Sequence, residues 1–268
     1  MDLNNKPHRR KNILTGEWTL VSPHRTKRPW QGKNDKPQKV EQLNYDSTCY
    51  LCPGNERVGG VINPNYNSTY IFKNDFSALT ENLKESSIDG LLEAESESGI
   101  CKVMCYSPNH SLTIPLMEID AIKGIIRSWQ KEYRDMGKNS DINYVQIFEN
   151  KGAIMGCSNP HPHGQIWAQR SIPQEVQKKI FNQKNYWKEH ESSLLSDYLR
   201  QELKSGQRII LENNGFAALV PFWAVWPFET MIIPKRHVVS ISELSKHEVN
   251  EYASILKKLT IRYDNLFE

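Results

Sequence analysis

"CSNPHPHGQIW", residues Cys157–Trp167, is the stretch on which the predicted fold and chemistry of this chain depend. A proline fixes its own φ and disfavours a helical conformation in the residue before it, so Pro162 predicts an extended chain at His161. Side chains two residues apart on an extended chain lie on one side of it, and we expect His161 and His163 to be aimed together. Gly164 is expected to give a ligand room to approach the backbone.

The glutamine that follows, Gln165, restricts the chemistry of this segment. Its amide can donate a hydrogen bond to a phosphoryl oxygen but cannot supply a proton, because it does not titrate near neutral pH. Attack at phosphorus with a phosphate leaving group needs no strong general acid, whereas expulsion of an amine or alkoxide does. A histidine nucleophile beside a glutamine therefore suits exchange of one sugar phosphate for another, while the second histidine holds a metal. The alternative is two histidines in a polar turn.

A Cys-x-x-Cys pair, "CYLC" at Cys49–Cys52, stands earlier in the chain. Pro53 and Gly54 follow it and predict a tight turn in which two thiolates face one metal, which is half of a zinc site. A redox dithiol is the first alternative, although Pro-Gly argues against the helix that such pairs usually open. A pair of inert, buried cysteines is the second. The candidates to complete a zinc site are His110 and His161.

Composition excludes several classes of protein. The chain has 268 residues, of which 38% are hydrophobic, and this suits one large domain or two small ones with a sizeable core. No apolar run approaches the length of a membrane helix, about 18 residues, and the first residues lack the apolar core of a secretory signal, so we expect a cytoplasmic protein without a membrane partner. Five cysteines, an odd number, argue against a disulfide framework. Three of them are expected to be small buried hydrophobic residues: Cys101, Cys105 and Cys157.

Positive charge is concentrated at the N-terminus. Residues 1–40 contain ten lysines and arginines against three acidic residues, although the whole chain has a net charge of only +3. Three interpretations stay open from composition alone: nucleic-acid binding, a solvated arm, and binding of a small substrate that carries phosphate.

The hydrophobic pattern predicts an α+β fold with a mostly antiparallel sheet crossed by a helix. Apolar residues recur at helical spacing over residues 119–136, and Ser242 is a candidate cap for a helix that continues to about Asp264. Short β-branched and aromatic runs predict strands at Glu17–Val21, Thr69–Phe72, Lys102–Tyr106, Tyr144–Phe148, Gln165–Ala168, 208–212, 216–220 and 229–234.

The second half of the chain resembles the first in its order of elements. "NHSLTIPLMEIDAI" (109–122) and "FETMIIPKRHVVSISEL" (228–244) are each interpreted as a strand that ends in Ile-Pro and leads toward a helix, which indicates a weak internal duplication. Two strands follow the helix of the first unit, whereas the sequence stops just after the second helix. We therefore expect the second unit to be incomplete, with sheet edges that a partner covers or that truncation has exposed.

Six blocks of this sequence resemble those of the galactose-1-phosphate uridylyltransferase family, part of the histidine-triad (HIT) superfamily. They occur in the family's order and extend to the last residue: "RTKRPWQG", "CYLCPGN", "NDFSAL", "FENKGAIMGCSNPHPHGQIWA", "VPFWAVWPFET" and "LTIRYDNLFE". The resemblance implies two duplicated HIT-like units, a catalytic domain at 1–172 and a C-terminal domain at 173–268. It also implies a homodimer and no nucleic-acid partner.

The resemblance assigns roles to individual residues. His163 would attack the α-phosphorus of UDP-glucose, release glucose 1-phosphate and hold uridylate, which galactose 1-phosphate then accepts to give UDP-galactose; Gln165 would bond the phosphoryl oxygens. The implied zinc ligands are Cys49, Cys52, His110 and His161. The implied contacts to nucleotide, phosphate or sugar phosphate are Arg25, Arg28, Phe72, Asn74, Asn150 and Ser158.

The sequence departs from the family at its C-terminal end. Family members continue past "YDNLFE" with further blocks that this sequence lacks, so we expect a C-terminally truncated second unit. Two alternatives to an active uridylyltransferase follow: an inactive, zinc-stabilised remnant, and a related HIT-type nucleotide-sugar phosphorylase that keeps the chemistry and changes the substrate.

Overall fold

The His-Pro-His segment leads into an inner strand of a four-stranded antiparallel sheet. The computed structural model describes residues 2–27, 43–157 and 159–266. Its strands are β1 (His8–Lys11), β2 (Trp18–Val21), β3 (Tyr70–Lys73), β4 (Ser87–Ile88), β5 (Ala94–Glu95), β6 (Gly99–Cys105), β7 (Tyr144–Phe148), β8 (His163–Gln169), β9 (Ile209–Glu212), β10 (Phe216–Leu219) and β11 (Met231–Pro234). Its longer helices are α1 (Ile119–Met136), α2 (Gln174–His190), α3 (Leu194–Ser205) and α4 (Lys246–Leu266).

The chain divides into two compact units. Unit 1 consists of Met1–Gln38, Pro173–Val239 and Ser254–Glu268, and unit 2 consists of Lys39–Ile172 and Ser240–Ala253. The ladders between strands are antiparallel in both units. The predicted α+β class and the eight strands predicted from β-branched and aromatic runs are therefore confirmed, whereas the domains 1–172 and 173–268 stay a prediction.

The sheet of unit 2 has the order β3-β6-β8-β7. In β8 the side chains alternate, because successive residues of a strand point to opposite faces. Gly164, Ile166 and Ala168 are buried, while His163 and Gln165 are half-buried on the other face. The nucleophile candidate and the glutamine therefore lie on the face of β8 that solvent reaches.

Helix α1 packs across this sheet, as its amphipathic pattern predicts. Ile122, Ile125 and Ile126 are fully buried. The ring of Trp129 meets that of Tyr106 edge-on at 6.5 Å, just beyond the end of β6. Burying three isoleucines contributes about 5 to 9 kcal/mol in apolar transfer, which outweighs the modest helix propensity of β-branched residues.

Unit 1 contains a three-stranded sheet in the order β11-β10-β9 and the hairpin β1-β2. Helices α2 and α3 were not predicted from the sequence. No side chain of α2 is buried, so an apolar stripe does not mark it. Helix α3 did carry a signal: the Ser193 hydroxyl accepts a hydrogen bond from Ser196 N at its start, and Gly206 is left-handed at its end.

Two details of the duplication were wrong. The segment 109–122 does not contain a strand, because Pro115 lies in a short 3-10 helix at Ile114–Leu116, whereas its proposed counterpart is β11. The cap of α4 is Ser245 and not Ser242. Glu248 N donates to Ser245 Oγ at 3.2 Å, and Ser245 N donates to Glu248 Oε2 at 2.8 Å, which is a capping box.

Among residues 2–27, 43–157 and 159–266, no helix has both the length and the apolar character needed to span a membrane.

Candidate active site and metal centre

Four buried side chains of unit 2 converge on one point: Cys49, Cys52, His110 and His161. One potential ligand atom from each lies within 4.8 Å of the others. The Cys52 Sγ is 3.5 Å from His110 Nδ1 and 3.4 Å from His161 Nδ1, and the Cys49 Sγ is 3.9 Å from His161 Nδ1. A tetrahedral Zn²⁺ with ordinary bond lengths would separate sulfur and nitrogen ligands by about 3.6 Å. The donor set and its spacing therefore fit a tetrahedral metal.

Local hydrogen bonds hold the two cysteines in a tight turn. Cys52 N donates to Cys49 O at 3.1 Å, and Gly54 follows with a φ of 75°, a conformation that favours glycine. The amide of Asn63 donates to Cys52 O at 3.0 Å and to Tyr50 O at 2.8 Å. The turn that Pro-Gly predicted is present, and it brings both sulfur atoms to the same point.

Burial shifts the pKa of two members of the cluster. It raises the pKa of the Cys52 thiol to about 11 and lowers the pKa of His161 to about 4, because a low-dielectric environment disfavours the charged form of each. The imidazole of His161 is consequently neutral at physiological pH, as metal ligation requires. A divalent cation would oppose the effect of burial on the thiols by stabilising thiolates.

A carbonyl group selects the tautomer of His161. The Nε2–H of His161 donates to Ser107 O at 2.8 Å, which leaves the Nδ1 lone pair directed at the sulfur atoms. Asn159 lies beside it and was not singled out from the sequence. Its Oδ1 accepts from His161 N at 2.9 Å, and its Nδ2 donates to Cys49 Sγ at 3.5 Å.

A second carbonyl group selects the opposite tautomer of His163. The Nδ1–H of His163 donates to His161 O at 2.8 Å, so the Nε2 atom carries the free lone pair. His163 opens β8, where it pairs with Cys105 of β6, and its side chain is half-buried. In this tautomer the imidazole presents a nucleophilic nitrogen and needs no further base.

Gln165 lies two residues along the same face of β8. Its Oε1 accepts a hydrogen bond from Trp167 Nε1 at 3.1 Å. Gly164 faces the other way. A Cβ atom there would clash with the Tyr106 hydroxyl and come within 3.1 Å of Phe148 O. The glycine is therefore required by the buried face of the sheet, and the expectation that it makes room for a ligand was wrong.

The other predicted contact residues have different environments. Phe72 is 9% exposed, with the guanidinium of Arg57 3.8 Å from the centre of its ring. Asn74 N donates to a carbonyl of β6, and Asn150 is half-buried just after β7. Arg25 is exposed in a short 3-10 helix of unit 1. Two more of the predicted residues, Arg28 and Ser158, lie outside the described residues.

The expectation for the remaining cysteines was partly confirmed. Cys101 and Cys105 are fully buried, and burial raises the pKa of Cys105 to about 12, as for an inert thiol. Cys157 is half-exposed, and its thiol donates to Asn159 O at 3.0 Å.

The chain matches two family models. Residues 1–173 match "galactose-1-phosphate uridyl transferase, N-terminal domain", and residues 177–268 match the C-terminal domain of the same family.

Curated proteins and solved structures are also similar to this chain over nearly its whole length. The galactose-1-phosphate uridylyltransferase of Haemophilus influenzae is 50% identical over 98% of this chain and 75% of its own length, and that of Saccharomyces cerevisiae is 46% identical over 100% and 77%. A solved uridylyltransferase structure has a TM-score of 0.70 and 29% identity, with 94% of this chain and 73% of that chain covered. An Arabidopsis thaliana ADP-glucose phosphorylase with bound ADP-glucose has a TM-score of 0.72 and 27% identity, with 95% and 76% covered. The chain thus spans about three quarters of the length of these relatives.

Proposed function

The chain belongs to the galactose-1-phosphate uridylyltransferase family, and we propose that it exchanges uridylyl between UDP-glucose and galactose 1-phosphate through a covalent intermediate on His163. Uridylyl transfer is the function of the family to which the chain belongs, and this reaction is part of galactose metabolism. The observation that carries the assignment to His163 is the hydrogen bond from His163 Nδ1 to His161 O, because it leaves the Nε2 lone pair free on the accessible face of β8.

In the first step, His163 Nε2 attacks the α-phosphorus of UDP-glucose and forms an N–P bond. The P–O bond to the β-phosphate breaks, and its electron pair leaves on glucose 1-phosphate. A sugar phosphate is a good leaving group, so no proton donor is needed. The positive charge that develops on the ring is shared with Nδ1–H, whose partner is the carbonyl of His161.

In the second step, a phosphate oxygen of galactose 1-phosphate attacks the same phosphorus. The N–P bond breaks and returns its electron pair to His163 Nε2, which gives UDP-galactose and the original neutral imidazole. The Gln165 amide donates to phosphoryl oxygens in both steps, and it favours transfer because it offers no acidic proton to a poorer leaving group.

We propose that the metal of the Cys49, Cys52, His110 and His161 cluster is Zn²⁺ in a structural role. The two cysteines and two histidines would supply the four ligands of a structural zinc site, which needs no water ligand. Bound zinc would supply rigidity, since it would tie together three separate segments of unit 2 behind the nucleophile.

Substrate recognition is assigned by resemblance. The residues proposed to contact nucleotide, phosphate or sugar phosphate are Arg25, Arg28, Phe72, Asn74, Asn150, Ser158 and Gln165. We also propose a homodimer, which light scattering of the purified protein would test, and a cytoplasmic location, which the five cysteines outside any disulfide support.

Intact mass spectrometry after brief exposure to UDP-glucose tests the intermediate. We expect the mass to rise by one uridylyl group and the label to move to galactose 1-phosphate when that acceptor is added. His163→Ala should abolish the rise, whereas replacement of an exposed histidine, His237→Ala, should not. No mass increase in a folded, zinc-loaded protein would contradict the proposal and favour the inactive remnant.

A nucleotide-sugar phosphorylase is the second candidate, because a solved ADP-glucose phosphorylase shares the fold at a TM-score of 0.72. Such an enzyme would pass the nucleotidyl group to inorganic phosphate. The uridylylated protein should therefore be offered phosphate and galactose 1-phosphate in parallel. Identity of 50% to a curated uridylyltransferase favours the sugar phosphate as the acceptor.

A further inference from the structure

The accessible face of β8 contains a third side chain after the histidine and the glutamine. Alternation along the strand places Trp167 on the same face as His163 and Gln165. Successive residues of one face are about 6.7 Å apart along a strand, so the three side chains form a row. Trp167 has no role in the chemistry described above.

The indole of Trp167 determines which end of the Gln165 amide faces the substrate. An indole N–H can only donate, and it lies 3.1 Å from Gln165 Oε1. The carbonyl end of the amide is therefore held toward the tryptophan. The NH₂ end has no hydrogen-bond partner among residues 2–27, 43–157 and 159–266, and it stays available as a donor.

Neighbouring groups hold the indole itself. The ring of Phe148 meets that of Trp167 edge-on, with 5.7 Å between centroids and an interplanar angle of 75°. Phe148 also pairs directly with Gln165 in the ladder between β7 and β8. The three residues thus form one contact group, and aromatic pairs of this geometry restrict ring orientation.

We propose that Trp167 is a positioning residue that keeps the NH₂ group of Gln165 directed at the phosphoryl group on His163. This inference rests on the proposed function. Without the indole N–H, the amide can turn over and present its carbonyl oxygen to an anionic phosphoryl oxygen, an arrangement that repels and donates nothing. The loss should appear in the chemical step, because the donor matters most where charge develops on phosphorus.

Rapid-quench labelling with UDP-glucose tests the proposal in four purified, zinc-loaded proteins: wild type, Trp167→Phe, Gln165→Ala and the double variant. Trp167→Phe should lower the labelling rate at saturating UDP-glucose roughly tenfold and change the half-saturating concentration less than about twofold, since one hydrogen bond is lost. Gln165→Ala should lower the rate about 100-fold. In the Gln165→Ala background, adding Trp167→Phe should lower the labelling rate less than about twofold, because no amide remains for the indole to hold.

Trp129→Phe is the matched control. Its indole Nε1 is buried without a hydrogen-bond partner in the described part of the chain, so removing that N–H should change the labelling rate less than about twofold. Independently of turnover, the indole N–H resonance of Trp167 should shift between wild type and Gln165→Ala.

The outcomes separate the two claims. If Trp167→Phe lowers the labelling rate by the same factor with and without Gln165, the role of Trp167 is merely structural and this inference is overturned. A labelling rate that Trp167→Phe leaves unchanged would overturn it too. An indole resonance that does not shift in folded Gln165→Ala would overturn it as well, even if Trp167→Phe fails to fold. Absence of any label in wild type would overturn the proposed function and this inference with it.

Discussion

His161 and His163 stand two residues apart and have opposite environments. His161 is completely buried, and its Nδ1 faces two thiols, whereas His163 is half-buried on the accessible face of β8 and leaves its Nε2 free. In each histidine a backbone carbonyl determines which ring nitrogen carries the proton. Ser107 O accepts from the Nε2–H of His161, and His161 O accepts from the Nδ1–H of His163. Neighbouring acceptors thus select opposite tautomers of two identical side chains, which fits the roles proposed for them in metal binding and in nucleophilic attack.

Removal of the accessible histidine should have the largest effect. We expect His163→Ala to lower uridylyl transfer by about 10⁴-fold or more, because the covalent route is lost. Zinc content and the thermal midpoint should stay close to those of wild type. Activity assays combined with metal analysis check this. Loss of zinc in His163→Ala would show that the two histidines do not have separate roles.

Removal of the buried histidine should act on stability. His161→Ala takes one of four ligands from the cluster, and we expect loss of bound zinc and a decrease of at least about 3 kcal/mol in the free energy of unfolding. Denaturant titration with metal analysis measures both quantities. The matched control is His190→Ala, since half of its side chain is exposed. Stoichiometric zinc in His161→Ala would contradict the assigned ligand set.

Asn159 supports the buried cluster through the backbone of His161 and the thiol of Cys49, so its replacement should have a smaller effect than loss of a ligand. Asn159→Ala removes the acceptor of His161 N–H and the donor to Cys49 Sγ, and we expect zinc affinity to fall about 10- to 100-fold. Competition with a chromophoric chelator measures the affinity. Asn159→Asp keeps the acceptor and loses the donor. It should retain the labelling rate at saturating zinc, and an equal loss of rate in both variants would contradict the separate roles of the two amide atoms.

Replacement of Gly164, between the nucleophile and the glutamine, should have the smallest effect. Gly164→Ala forces a methyl group against the Tyr106 hydroxyl and should cost about 1 to 3 kcal/mol of stability by overpacking. Tyr106→Phe removes that hydroxyl, so the double variant should recover part of the loss. Urea unfolding of the four proteins completes the cycle. A double variant as unstable as the sum of the single ones would show that the tyrosine does not require the glycine.

The metal cluster was largely predictable from sequence because its chemistry needs particular residue types. The Cys-x-x-Cys turn predicted two of the four donors, His110 and His161 were the candidates to complete the site, and the family resemblance implied the same four residues. The structure brings all four together. Asn159 could not be predicted, because its role depends on a contact with Cys49, 110 positions away in the chain. Trp167 could have been found from its alternation with Gln165 along β8.

The helices were predictable from sequence where one face of the helix is buried and apolar. Helix α1 begins and ends as its isoleucine pattern predicts, because that face is buried against a sheet. Helix α2 escaped prediction because its 17 residues include none that is buried. The same Ile-Pro pair does not predict the same element. It ends strand β11 at Pro234, but at Pro115 it lies in a 3-10 helix.

The most direct test of the central claim is a long-range ¹H–¹⁵N spectrum of the uridylylated protein, labelled with ¹⁵N-histidine. We expect phosphorus on Nε2 of His163, a proton on its Nδ1, and His161 unmodified with its proton on Nε2. Phosphorus on His161, or on Nδ1 of His163, would contradict the claim that backbone carbonyls assign the two histidines their separate tasks.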